Sequence, residues 1–138
     1  MRHVVFRVAS ERYALRLDAV REVVLPQPPF SRVPRSSEAV RGVMNLRGRV
    51  LAVVDLAVLV GLAPQPLQAG AGQVLILEHG RRALGFLIGG VLGVERITAP
   101  PDAGPGLVSG VARASSGAVT LLGAEALAGE AEALFGSR

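Results

Sequence analysis

The chain of 138 residues has no cysteine and no lysine, and it carries only five aromatic side chains, one tyrosine and four phenylalanines. Without cysteine there is no disulfide framework and no thiolate metal site. The two histidines, His3 near the N-terminus and His79 in the turn Glu78-His-Gly-Arg, have no sequence neighbours that suggest a triad or a ligand set. Nor does any glycine run have the strand–loop–helix setting of a nucleotide site, so Gly85–Gly93 reads as the glycines of a β-hairpin. Enzymatic chemistry and a bound cofactor are therefore not expected. Half of the residues are apolar and mean hydropathy is +0.44. No apolar run reaches the ~18–20 residues that span a bilayer: Asp55 stops the run from Val50, and glycines interrupt Gly85–Val94. Arginines and Glu11 come too early for a signal-peptide core, which points to a soluble, cytoplasmic protein.

What the chain does contain is glycine, proline and short β-branched runs between turn signals, the pattern of an all-β domain. Strands are expected at Val4–Val8, Arg12–Leu17, Val43–Leu46, Arg49–Asp55, Val74–Glu78, Ala83–Ile88, Val94–Ile97, Gly110–Ala114 and Val119–Leu122. Leu25–Pro34 reads as a proline-stiffened connection. Ser36 or Ser37 offers an N-cap for a helical turn through Glu38-Ala39-Val40, closed by Gly42. Ala63–Gly72 and Pro100–Gly106 are loops by composition. The tail Ala124–Phe135 has helical spacing, with Gly136 as a stop, and should pack on its own barrel.

The charge of +4 is divided unevenly. Residues 1–50 hold ten arginines and four acids, while residues 51–138 hold five arginines and seven acids. A basic first half allows a nucleic-acid-binding module as an alternative function. Stacking aromatics are scarce there, because only Tyr13 and Phe30 interleave with the arginines. The most informative segment is the hairpin around Asn45-Leu46-Arg47-Gly48, which sets a long cation at the tip of a glycine-closed turn. A loop of three to five residues is expected, with Asn45 and Gly48 serving the turn. Arg47 has no evident folding role and reads as a contact to another macromolecule. Glu22 could bind a partner or pair with Arg21 or Arg49, and Asp55 should accept backbone N–H bonds at a strand-to-loop corner.

The chain also repeats itself. Tyr13–Val23 matches Leu84–Val94 in apolar pattern at an offset of 71 residues. Gly42-Val43 recurs as Gly110-Val111, and Val53–Gly61 as Leu121–Gly129, both at an offset of 68. One unit of about 70 residues is used twice, which suggests two small barrels sharing a core.

These stretches carry a family likeness. Phe6-Arg-Val with Tyr13-Ala-Leu and Val20-Arg-Glu-Val23, then Arg41-Gly-Val-Met-Asn-Leu-Arg-Gly-Arg-Val-Leu-Ala-Val-Val-Asp-Leu56, then Gly85-Phe-Leu-Ile with Gly90-Val-Leu-Gly-Val94, and Ser109-Gly-Val with Leu121-Leu122, resemble in order the CheW-type coupling proteins of bacterial chemosensory arrays. The resemblance implies one domain over residues 1–138, made of two intertwined five-stranded SH3-like barrels with short helical turns and a short C-terminal helix. The first barrel would cover about residues 13–70, and the second about residues 74–123 with the N-terminal strand. It also implies a non-enzymatic adaptor that binds the regulatory domain of a CheA-type histidine kinase and the cytoplasmic tip of chemoreceptors, with no cofactor, nucleic acid or membrane insertion. The partner-binding residues it implies are Val20, Glu22 and Arg47, with Asn45, Leu46 and Gly48 shaping the groove, and Arg41. Two departures stand out. The family's usual acids are replaced by Gly89 and Gly123, where the first half of the repeat has Asp18 and Asp55. The first barrel is therefore expected to carry the dominant contacts.

Overall fold

The computed structural model describes residues 1–26, 30, 37–66, 71–80 and 82–136. Most of the proline-rich connection Leu25–Pro34, Ser36 and part of the loop Ala63–Gly72 lie outside the described residues. Ten strands follow one another: β1 (Arg2–Val8), β2 (Glu11–Arg16), β3 (Val20–Val24), β4 (Val40–Leu46), β5 (Arg49–Asp55), β6 (Gln73–His79), β7 (Arg82–Ile88), β8 (Gly90–Arg96), β9 (Val108–Ala114) and β10 (Gly117–Leu122). A four-residue helix, α1 (Leu56–Leu59), follows β5, and a longer one, α2 (Ala124–Gly136), follows β10.

The strands form two five-stranded sheets, in the orders β8-β1-β2-β10-β9 and β3-β6-β7-β5-β4. The two orders correspond strand for strand once β1–β5 are matched with β6–β10. The repeat read from apolar pattern is thus a repeat of topology, including the parallel pairs β5·β7 and β10·β2. The sheets do not follow the expected division near residue 70. β2 joins β8, β9 and β10 in one sheet through its tight hairpin with β1, and β6 and β7 join β3–β5 in the other. In each half the third strand crosses to the other sheet: β3 leaves β2 after a 3-10 turn over Leu17–Ala19, and β8 leaves β7 at Gly89. Apolar alternation fixes which face of a strand is buried, but not which strand lies beside it.

Each sheet curls around its own small core. Met44, Leu51, Val53, Val74 and Ile76 fill one; Val5, Ala14, Val119 and Leu121 fill the other. The opposite faces of the same strands meet in a larger central core, where Phe6, Tyr13 and Leu15 of one sheet pack with Leu75, Leu84 and Phe86 of the other. Helix α2 adds Leu127, Ala128 and Ala131 to this central core, and its main strand contact is β6, in the opposite sheet rather than its own.

β3 is absent from the sequence expectation. It is an edge strand with a register shift between Val20 and Glu22, so its alternation is broken. The turn at Glu38-Ala39 does form, with the Ala39 N–H donating to the Ser37 hydroxyl at 3.0 Å. Val40 already belongs to β4, and Gly42 sits inside that strand at a second register shift, with φ +131°.

Candidate partner-binding site

The β4–β5 hairpin turns through a loop of two residues, with Leu46 and Arg49 as its closing pair. This is shorter than the sequence suggested. Both loop residues are left-handed: Arg47 at φ +52° and Gly48 at φ +83°. Such a loop matches the twist of the strands, and Asn, Asp or Gly ordinarily fill it. An arginine in this conformation costs roughly 1–2 kcal/mol. The Asn45 carboxamide oxygen accepts from the Gly48 N–H at 2.8 Å and fastens the turn.

Arg47 is held by Glu22. Its guanidinium donates to the carboxylate across the gap between β4 and β3, the two edge strands of one sheet. This ion pair ties the edges together and helps to close the sheet into a barrel. The second half has a counterpart. Ser115, at the repeat position of Arg47, donates its N–H and hydroxyl to Glu95 of β8, at 2.9 and 3.1 Å.

Beside the Arg47–Glu22 pair runs a groove of about 200 Å³, lined by Leu46, Leu51, Ile76 and Ala83 below and by Arg21, Arg49 and Val50 at the rim. Glu22, Leu46 and Arg47 therefore come together as expected, with Asn45 and Gly48 shaping the turn. Val20 lies elsewhere, partly buried against the central core. Arg41 does not line this groove. Its guanidinium bridges the Asp55 carboxylate at 2.8 Å and the Gln65 carbonyl at 2.6 Å. Asp55 is wholly buried; it caps α1 through the Ala57 N–H and takes two further hydrogen bonds from Gln65. The sequence expectation for Asp55 holds; Arg41 turns out to be that carboxylate's counter-ion.

Six groove residues were not named as contacts in the sequence reading: Arg21, Arg49 and Val50 at the rim and Leu51, Ile76 and Ala83 in the floor. The signal for Val50 was there, since Leu51 and Val53 point inward and alternation then sends Val50 out. A second surface was missed as well. Val91, Leu92 and Val94 of β8 and Val108 and Val111 of β9 are exposed on the two edge strands of the other sheet. Outward-facing apolar side chains on edge strands are a liability unless a partner covers them.

The basic first half presents less free charge than its composition suggests. Arg16, Arg21, Arg41 and Arg47 are paired with Asp18, Glu78, Asp55 and Glu22. Phe6, Tyr13, Phe30 and Phe86 are buried and Phe135 packs against the central core, so among the described residues no aromatic ring is presented for base stacking. No group of three or more metal-ligating side chains occurs among the described residues, and no described helix is long and apolar enough to cross a membrane.

The family model for the CheW-like domain matches residues 2–132. A Thermotoga maritima protein named chemotaxis protein CheW is 33% identical over 67% of this chain and 60% of its own length. Protein PilI of Pseudomonas aeruginosa is 31% identical over 65% of this chain and 49% of its own length. The aligned stretches thus span about half to three fifths of these relatives. The crystal structure of the scaffolding protein TtCheW from Thermoanaerobacter tengcongensis superposes with a TM-score of 0.73 at 26% identity, covering 88% of this chain and 87% of that one. Two five-stranded SH3-like barrels, a duplicated topology and a profile match across nearly the whole length agree: the chain belongs to the CheW-like domain family.

Proposed function

We propose that this protein is a chemosensory adaptor that joins the regulatory domain of a CheA-type histidine kinase to the cytoplasmic tip of chemoreceptors. The observation that supports the reading is two surfaces of different chemistry on one body. The groove beside Arg47 has a charged rim and an apolar floor; the β8–β9 face is apolar. An adaptor needs two such surfaces, held in fixed relation. The shared central core supplies that relation, because neither sheet can move without disturbing packing contributed by the other. Its work is positional: receptor state biases the kinase through the geometry in which both are held, in the cytoplasm where these domains lie. We assign the groove to the receptor and the β8–β9 face to the kinase.

Binding of the purified kinase regulatory domain and of a soluble receptor-tip fragment from the same organism tests the assignment. Arg47→Glu sets two carboxylates against each other at the groove and should abolish receptor binding while the kinase still binds. Val111→Asp should do the reverse. An unmodified protein that binds neither partner would overturn the adaptor reading.

A further inference from the structure

Three arginines line the groove, and they are not equivalent. Arg47 donates to Glu22. Arg21 donates to Glu78 of β6 at 2.7 Å. The Arg49 guanidinium has no hydrogen bond or ion pair among the described residues, and it stands on the far side of the turn from Leu46, next to Val50, which is 76% exposed. Arg47 also carries the unfavourable left-handed backbone, and a partner that engaged it would have to compete with Glu22. The cation that a partner can engage without breaking an existing ion pair is Arg49.

We infer that Arg49 is the specificity-determining charge of the groove, and that the partner presents a carboxylate to Arg49 beside an apolar side chain that covers Val50 and reaches toward Leu46. This rests on the adaptor reading of the groove and adds which residue selects the partner. The Arg47–Glu22 and Arg21–Glu78 pairs then serve as a neutral frame. A partner with a basic residue at that point meets a like charge on Arg49, with no free carboxylate to receive it, so the groove discriminates by repulsion as well as attraction.

The test is calorimetric titration of a soluble chemoreceptor-tip fragment from the same organism into the full chain, at low and at physiological salt. Arg49→Glu should weaken binding by about tenfold or more, and Arg49→Gln by less, since reversal adds repulsion to a lost attraction. Affinity of the unmodified chain should fall with salt more steeply than that of Arg49→Gln. Replacing the matching acid of the receptor fragment by arginine should restore binding to Arg49→Glu. Thermal melts of both variants should stay close to the unmodified protein, because the Arg49 side chain is exposed and has no ion-pair partner among the described residues. If Val50→Asp loses binding while both Arg49 variants bind normally, the groove stands and the role of Arg49 falls. If Val50→Asp, Arg47→Glu and the Arg49 variants all bind like the unmodified chain, the groove itself is misassigned.

Discussion

Two ion pairs on one hairpin have opposite characters. Arg47–Glu22 lies at the tip, with the arginine side chain 65% exposed, and exposed pairs contribute about 1 kcal/mol or less. Arg41–Asp55 lies at the base, where the carboxylate is 0% exposed, and removing one partner of a buried pair costs about 3–5 kcal/mol. Urea unfolding should therefore show Arg41→Ala destabilised by about 3 kcal/mol or more and Glu22→Ala by about 1 kcal/mol or less. Similar losses in the two variants would contradict this division. The sequence showed Asp55 as a corner acid, but its cation stands fourteen residues away and only pairing of β4 with β5 brings them together. The composition has a further consequence for pH. Tyr13 is the only tyrosine, and lysine and cysteine are absent. Burial, then the hydrogen bond its hydroxyl donates to Glu11 at 2.6 Å, hold its proton and raise its pKa well above the ordinary value near 10. The folded state retains a proton that the unfolded chain gives up, so this contribution to stability is complete below about pH 10 and declines as pH rises beyond it. Unfolding free energy measured from pH 9 to 11 should fall at the upper end, and Tyr13→Phe should remove that slope.

At the scale of elements, Gly89 and Gly123, where the family resemblance led to an expectation of acids, stand at sterically tight positions. A Cβ at Gly123 would stand 2.6 Å from the Gly106 carbonyl oxygen, and one at Gly89 would stand 2.8 Å from the Arg7 carbonyl oxygen. The backbone comes too close at both positions for a side chain to fit without a shift. Gly89 also donates its own N–H to that Arg7 oxygen at 2.7 Å, which draws β7 toward β1 where the chain changes sheets. Gly89→Asp and Gly123→Asp should accordingly destabilise the protein by about 1–3 kcal/mol, as overpacked sites do. Chemical denaturation reads this directly; an unchanged midpoint would show that the backbone yields. Short continuous apolar runs, such as β5 and β7, which are interior strands buried on both faces, were legible in the sequence. β3 was not, because its register shift breaks the alternation. Helix α1, at four residues, is too short to show a helical period.

At the scale of the molecule, two barrels could be read from the repeat, but their wiring could not. Pairing of β2 with β10 and of β5 with β7 joins segments far apart in sequence, and apolar pattern carries no record of such partners. The β8–β9 face was hidden for a related reason. Its valines look like core residues until the strands are found at the edges of a sheet. Replacing Val94 and Val111 together by threonine should leave the unfolding midpoint nearly unchanged, since both side chains are already solvated, while lowering the tendency to self-associate at high concentration. Light scattering across a concentration series checks this, and a large drop in stability would mean the face is covered within the chain.

The exchange of β3 and β8 also bears on what a single cut in the backbone would do. Residues 1–66 supply three strands of one sheet and two of the other, and residues 71–136 supply the complement. The molecule is thus built like an interlocked pair whose two members happen to be covalently joined. A nick between residue 66 and residue 71 should leave the fragments associated through the four strand pairs β1·β8, β2·β10, β3·β6 and β5·β7 and through the central core, migrating together on a sizing column and parting only in denaturant. Neither fragment alone would hold a complete sheet. Selection on such a chain acts on both halves at once, which allows one copy of the repeat to diverge in surface while its partner keeps the framework folded.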